Sequence, residues 1–490
     1  MELNQIKEEV TEKNEKDKLI NAIGELGKWQ VLMLMLVVWP TKISAGWQQL
    51  GIIFIAPTTK FMCTDTNLTE KVEMSKCYDD CANYEYHTEF GNTIISQWEL
   101  ICDRAWMAHF TQTVNMFGVL VGSVFFGFVA DRYGRRPALL TACVLQLITT
   151  MAEAFCPTYW IFTGVRFFLG TSTAGTLLCA FIFIIEITGP RHRELIACLS
   201  AIPLSIGEMT MPIFAYFLRT YDMFCLGVAI PNLLYLVYFF IMPESPKWLI
   251  TTGRLEEASM VMTQAAQWNN LPTENMLDVV KSIAADNVNS NDKKQSKATY
   301  MDLVKTKALK LNSICSCTIW FTLGITFYGS NQYIGETSSN IFISIFLAGL
   351  LQIPGLILAS VLCKYIGRRI TLISLFLICA LSNAVLAVPN DWFYLRLVVG
   401  TIAVSCASGC FSSIYMFTSE LFPTVARNMA MGASSMVSRI GSMIAPFVAG
   451  LNIVAPWLPP AAFACIPLLA AIACYLLPET RGNKLSDHLA

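Results

Sequence analysis

Three ionisable residues interrupt long apolar stretches: Lys42 in 29–57, Glu208 in 195–217 and Arg439 in 429–451. An ion near the centre of a bilayer costs at least about 2.5–3.5 kcal/mol, so each of the three calls for a partner or a wet cavity. At about 1.5 Å of rise per residue, roughly ten to thirteen residues into a span places each about 15–20 Å deep. A guanidinium at Arg439 suits a carboxylate through paired N–H donors. Lys42 and Glu208 admit a second reading, a buried ion pair that meets no ligand. Trp320, Gly324, Phe327 and Asn331 recur at helical spacing and share one face, with Tyr328 beside it. Such a face can stack flat rings and attract alkylammonium groups, or it can pack against a neighbouring helix. Phe411 and Tyr415, one helical turn apart, offer the same choice.

The elements that position these groups are set by composition. The 490 residues are 54% hydrophobic and 14% charged, which excludes a soluble chain and indicates an all-α membrane protein. A net charge of −1 excludes a generally basic nucleic-acid binder. The four histidines, His87, His109, His192 and His488, are scattered without ligand spacing, so no metal is expected. No glycine loop ending in Lys-Ser or Lys-Thr is present, and no enzyme signature or cofactor motif is found.

Apolar stretches predict twelve spans, six on each side of a long polar connection. The expected organisation is a cytosolic tail at 1–28, a six-helix half at 29–242, a cytosolic linker at 243–310, a second six-helix half at 311–477 and a tail at 478–490. Arg132, Arg135, Arg136, Arg191, Arg193, Arg254, Lys364, Arg368, Arg369 and Arg427 fall on one side of these spans, which puts both termini in the cytosol. The loop at 58–106 holds Cys63, Cys77, Cys81 and Cys102 and the sequon Asn67-Leu68-Thr69. It reads as an extracellular segment with disulfides, whose three pairings stay open, and a glycan. In the linker, Leu255, Ala258, Met262 and Ala265, then Leu277, Val280 and Ala284, predict short amphipathic helices. A flexible link is expected at 286–297.

Landmarks repeat at a nearly constant offset. Gly134-Arg135-Arg136 returns as Gly367-Arg368-Arg369, 233 positions later. Arg166 with Gly170 returns as Arg396 with Gly400, Glu186 and Arg193 return as Glu420 and Arg427, and Pro243-Glu244 returns as Pro478-Glu479. A common register across four landmarks implies two homologous halves, an arrangement that commonly packs around a central site and opens it to alternate sides.

The motif Gly127-x-x-x-Asp131-Arg132-x-Gly134-Arg135-Arg136 resembles the loop signature of the major facilitator superfamily. Within it the chain resembles the organic cation, organic anion and carnitine transporter family. That resemblance is carried by Trp98-Glu99-Leu100-Ile101-Cys102, Glu186-x-x-Gly189-Pro190-x-x-Arg193, Pro243-Glu244-Ser245-Pro246-Lys247-Trp248-Leu249, Trp320-Phe321-Thr322 and Glu420-Leu421-Phe422-Pro423-Thr424-x-x-Arg427. It implies a major facilitator fold and a secondary transporter in the plasma membrane. Arg439 stands where cation carriers have an acid and many anion and carnitine carriers an arginine, and Gln352 stands at another position where cation carriers tend to have an acid. The outer loop has four cysteines where the family often has six, and Lys364 and Tyr365 replace the counterparts of Asp131 and Arg132.

The expected substrate is therefore a small organic anion or carnitine-like zwitterion, with Lys42, Glu208, Trp320, Phe327, Tyr328, Gln352, Phe411, Tyr415 and Arg439 around it. Gly127, Asp131, Arg132, Gly134, Arg135, Arg136, Glu186, Arg193, Gly367, Arg368, Arg369, Glu420 and Arg427 are expected to gate the cytosolic side. Lipid is an obligate neighbour, and a coupling or exchange ion is left open. Rival readings are an organic cation carrier using Glu208, a sugar porter, and a receptor or scaffold on the same fold that does not transport. The long cysteine loop and the lack of a Gln-Gln pair in the seventh span disfavour the sugar porter.

Overall fold

The computed structural model describes residues 18–64, 74–78, 81, 83–292, 303, 305–337, 340–388 and 392–481. A short helix α1 (Lys18–Ile23) precedes the first long helical segment. That segment starts as α2 (Lys28–Met33), passes through a π-helical turn at Leu34–Val38, and continues as α3 (Trp39–Leu50) and α4 (Ile52–Ile55). Pro40 explains the widened turn, because it has no N–H to give to a preceding carbonyl. Lys42 lies just beyond this irregularity.

The outer loop forms β1 (Lys60–Cys63) paired antiparallel with β2 (Tyr84–His87), with Cys63 opposite Tyr84, and then α5 (Ile94–Gln97). Disulfides join Cys63 to Cys81 and Cys77 to Cys102, which selects one of the three pairings. The sequon at Asn67 lies outside the described residues. On surface-expressed protein, these four cysteines should resist thiol reagents until reductant is added, and glycosidase should lower the mass of the chain by one glycan. Labelling of Cys63 or Cys77 without reductant would contradict the bridges.

The long helices of the first half are α6 (Trp106–Tyr133), α7 (Arg135–Glu153), α8 (Tyr159–Glu186), α9 (Arg193–Phe217) and α10 (Tyr221–Asn232), the last extended by a 3-10 turn into α11 (Tyr238–Ile241). The connection carries α12 (Pro246–Thr251), α13 (Leu255–Trp268) and α14 (Met276–Asp292). The second half has α15 (Lys307–Thr337), α16 (Ile341–Tyr365), α17 (Arg368–Ala387), α18 (Phe393–Leu421), α19 (Thr424–Gly450) and α20 (Leu458–Leu476). Among the described residues, nine helices are long and apolar enough to cross a membrane by length and composition. The segments at the first, third and eleventh expected spans are helical but fall outside that set. The first is broken at its π turn, α7 carries buried Gln146, Thr149 and Thr150, and α19 carries Arg427, Ser434, Ser438 and Arg439.

Helices α6 and α8 pack within the first half, as do α15 and α19 and also α17 and α20 in the second. Small residues set the closest approach: a Cβ on Gly118 would stand 2.1 Å from the Phe167 carbonyl oxygen, and one on Gly170 would stand 2.0 Å from that of Asn115. The seam between halves is formed by α9 against α16 and by α6 against α19. Phe125 and Phe128 leave 54% and 59% of their surface uncovered, an apolar exterior that suits lipid.

At the outer end of the seam, Phe342 of α16 projects into the first half. It stacks on Phe54 at 5.8 Å, meets Phe90 and Tyr216 at 5.6 Å each, and lies under the Arg219 guanidinium at 4.9 Å. At the opposite end, Asn269 fastens the segment around Ile23–Gln30 to the linker helices. Its Oδ1 accepts from the Trp29 N–H at 2.9 Å, and its Nδ2 donates to the Ile23 carbonyl at 2.5 Å and to Gln30 Oε1 at 2.9 Å. The Gln30 amide in turn donates to the Gly24 carbonyl at 2.8 Å. In α13, Ala258, Met262 and Ala265 are fully buried as their spacing predicts; Leu277 of α14, expected on a buried face, is exposed while Val280 is buried.

Candidate functional site

Two polar constructions lie where α7 and α17 begin, one per half, and most of their groups correspond. In the first, Arg135 forms a two-pronged pair with Glu186, Nη2 to Oε1 at 2.8 Å and Nε to Oε2 at 3.1 Å. The Glu186 carboxylate also accepts from Ser245 Oγ at 2.6 Å. Glu244 caps the start of α7, accepting the backbone N–H of Arg135 at 2.8 Å and of Arg136 at 3.2 Å. Burial pushes the Glu244 carboxyl above its ordinary range, opposed by these amide donors, by that of Ser245 and by the Arg135 charge. Gly134 turns the chain into α7 with φ +111°, and a Cβ there would stand 2.2 Å from Glu244 Oε2.

The second half repeats this. Arg368 pairs with Glu420 at 3.0 Å, Thr480 takes the place of Ser245 at 2.5 Å from Glu420, and Glu479 caps α17 by accepting from the backbone of Arg368 at 2.9 Å and Arg369 at 3.1 Å. Gly367 turns at φ +118°. Where Asp131 and Arg132 are replaced by Lys364 and Tyr365, the Arg481 guanidinium donates to the Tyr365 carbonyl.

In this structure neither cluster bridges the two halves. The contacts of Arg135, Glu186, Arg368 and Glu420 run between helices of one half, so each cluster makes its own half rigid. Asp131, 76% exposed, adds one 3.2 Å contact to Arg135, and Arg132 lies over the Phe128 and Tyr133 rings. Arg136 Nη2 donates to the Phe239 carbonyl at 2.7 Å, and Arg193 Nε to the Thr188 carbonyl at 3.3 Å. Arg427 buries Nε and Nη2 without a hydrogen-bond partner among the described residues. Gly127 of α6 stands beside Leu178 of α8. With Asp131 itself largely solvated, its contact with Arg135 contributes about 0–1 kcal/mol, so Asp131→Asn should leave stability nearly unchanged and alter transport rate more than affinity. Uptake kinetics at equal surface density check this; an unchanged rate would leave the motif only its topology-setting role.

Deeper in the membrane, α15, α18 and α19 bring five aromatic rings and one guanidinium together. Trp320 meets Tyr415 edge-on at 4.6 Å and Phe411 at 6.2 Å, and Phe327 meets Phe411 at 5.3 Å and Tyr328 at 5.1 Å. Arg439 Nη1 donates to Tyr328 Oη at 3.2 Å, and Tyr328 Oη donates to Gln49 Oε1 of the first half at 2.8 Å. Trp320 is fully buried and donates from Nε1 to Thr418 Oγ1 at 2.9 Å. It therefore backs the cluster, while Tyr415 keeps 39% of its surface open and Arg439 is half-buried. No acidic side chain pairs with Arg439 among the described residues; its electrostatic neighbours are Tyr328 and Tyr415.

Glu208 and Lys42 do not pair. Buried Gln352 donates to Glu208 across the seam and accepts from Ser205 Oγ at 3.4 Å, tying α9 to α16. Lys42 Nζ donates to Ser200 Oγ at 3.2 Å and lies 5.1 Å above the Phe181 ring. The structure thus groups Arg439 with the aromatic cluster, joins Glu208 to Gln352, and sets Lys42 apart on the first half. Sequence reading missed Gln49, Gln112, Glu153 and the importance of Arg166. Gln112 Nε2 donates to the Gln49 carbonyl at 2.8 Å, and Arg166 Nη2 donates to Gln112 Oε1 at 2.7 Å. The available signal was Arg166 itself, a charge inside an apolar stretch.

Among the described residues no group of three histidine, cysteine or acidic side chains could hold a metal ion. The thirteen remaining cysteines are free thiols.

Residues 37–486 match the family described as sugar (and other) transporter. Mouse solute carrier family 22 member 12 is 32% identical over 86% of this chain and 75% of its own length, and human organic cation/carnitine transporter 2 is 30% identical over 85% and 74%. The chain belongs to the organic cation and carnitine transporter group of this family. A Drosophila melanogaster organic cation transporter protein is 28% identical over 96% of this chain and 93% of its own length. The fold matches the partially occluded inward-open xylose transporter XylE from E. coli with a TM-score of 0.67 at 16% identity, covering 94% and 100% of the two chains. The protein has the major facilitator fold, and as a member of this group it is a multi-pass plasma-membrane transporter and not an enzyme.

Proposed function

We propose that this organic ion transporter moves a small organic anion or a carnitine-like zwitterion by alternating access, with Arg439 taking the negative group. The observation that carries the reading is a half-buried guanidinium in the second half's helix bundle with a phenol as its polar partner and, among the described residues, no carboxylate paired to it. A charge at that depth without a counter-charge is costly, and an anionic ligand supplies what the helix lacks. Phe411 and Tyr415 offer ring faces beside it, held in place by Trp320. Lys42 supplies a second cation and Glu208 with Gln352 a polar wall; the carnitine and cation carriers among the relatives support a substrate in the organic ion class.

The cytosolic clusters stiffen each half so that the two move as bodies about the α9–α16 and α6–α19 seams, which supports a rocking mechanism. Uptake of radiolabelled benzenesulfonate, carnitine and tetraethylammonium into proteoliposomes tests the charge preference. Uptake of the first two and not the third is expected; uptake of tetraethylammonium alone would overturn it.

A further inference from the structure

Glu153 and Arg166 form a buried ion pair that the transport reading above does not use. Glu153 closes α7 and is 1% exposed, Arg166 of α8 is fully buried, and Arg166 Nη1 stands 3.4 Å from Glu153 Oε1. This is a single, long contact between two charges that each need several partners inside a membrane. The Arg166 Nε is buried with no hydrogen-bond partner, which marks the site as incompletely satisfied. Two thiols face the carboxylate, Cys225 from α10 and Cys156 from the connection after α7; Asp222 and Tyr221 stand near Cys225 on α10. From α6 the facing group is Gln112, while His109, one turn earlier, lies against Gly450 of α19. From α8, Tyr159 directs its hydroxyl to the Met107 carbonyl and not to the pair.

Two runs of hydrogen bonds, one from this pair and one from Arg439, meet at Gln49, the first ending on its backbone carbonyl and the second on its side-chain oxygen. Arg166 donates to Gln112, Gln112 to the Gln49 carbonyl, and the Gln49 side chain accepts from Tyr328, which also accepts from Arg439. Four residues thus connect a titratable carboxylate in the first half with the guanidinium assigned to the substrate in the second.

We propose that Glu153 and Arg166 are a proton site coupled to anion binding at Arg439, so that the protein carries an organic anion together with a proton. The inference rests on the anion reading of Arg439. One O–H bond forms on Glu153 when a proton arrives from water, and it breaks when the proton leaves; no other bond changes. With Glu153 neutral, Arg166 loses its counter-charge and the hydrogen-bonded line gains one positive charge, which favours an anion at its far end. By linkage, a bound anion favours proton uptake at Glu153 to the same degree.

The test uses full-length protein in proteoliposomes with a trapped pH-sensitive dye and benzenesulfonate as the probe, because a sulfonate does not cross bilayers as a neutral acid. Wild-type protein should acidify the lumen as benzenesulfonate enters, and an imposed gradient should concentrate it by up to about tenfold per pH unit. Glu153→Gln should keep benzenesulfonate exchange yet lose both the acidification and the gradient response. Glu153→Asp should retain both with a displaced pH dependence, and it keeps the test open if the glutamine variant fails to fold. Benzenesulfonate entry without proton movement in wild type, or accumulation by Glu153→Gln that still follows the gradient, overturns the proton site while leaving anion transport intact. A wild type that carries only cations overturns the Arg439 assignment, and this coupling with it.

Discussion

Arg439→Ala is expected to abolish uptake of organic anions and zwitterions at unchanged surface density. Losing one partner of a desolvated charged pair costs about 2–5 kcal/mol, roughly thirtyfold or more in affinity. Among the described residues the one side-chain hydrogen bond of Arg439 goes to Tyr328, a neutral phenol, so its removal leaves no buried carboxylate orphaned and the loss reads as a loss of ligand contact. Arg439→Lys should recover part of the uptake, since an ammonium restores the charge without the planar pair of donors. Arg439→Asp should move residual selectivity toward cations. Trp320→Ala acts differently. It removes the ring behind Tyr415 and Phe411 and leaves Thr418 without its donor, so uptake of anions and zwitterions should fall alike, together with stability. Initial-rate uptake across an anion, a zwitterion and a cation, normalised to surface protein, reads all four variants. Equal cation transport by wild type and Arg439→Ala, with no anion transport by either, would make Arg439 structural.

Arg135→Ala should be the most damaging of the cytosolic substitutions. It removes both prongs on Glu186, whose side chain is 11% exposed and keeps the Ser245 hydroxyl, and it takes one of two donors from the Ala130 carbonyl at the end of α6, which retains the Gly134 N–H. Breaking such a pair costs about 3 kcal/mol, enough to deplete folded protein at the surface. Arg132→Ala, which removes contacts with ring faces only, should stay within about 0.5 kcal/mol. Thermal unfolding of detergent-solubilised protein and cell-surface labelling compare them. Equal melting temperatures would show that the Arg135–Glu186 pair does not hold α7 to α8.

The fold was legible because its signals are chemically loud. A mid-membrane charge, a basic loop and a glycine before two arginines survive any background of apolar residues, and their recurrence 233 positions apart displayed the two halves. Individual partners were not legible. Lys42 and Glu208 looked like a pair because both lie at mid-depth, yet angular position on α3 and α9 sends one to Ser200 and the other to Gln352. Trp320 shares a helix face with Phe327, but the neighbouring α18 covers it completely, and coverage by another helix leaves no trace in spacing. Glu153 escaped notice because it ends its helix and resembles a loop residue; only Arg166 from the next helix shows that it is inside.

The clasp around Asn269 has a consequence for how the molecule is made. The side chain that ties down Ile23, Trp29 and Gln30 is encoded about 240 positions after them. At roughly 5–20 residues per second of synthesis, the start of the chain waits about 10–50 s before that contact can form. During this interval the long helices of the first half have been made, yet the segment leading into them is unfastened. A nascent chain stalled before Asn269 should expose this segment to protease, and one stalled well after it should protect it, so the clasp dates the moment at which the first half is finished.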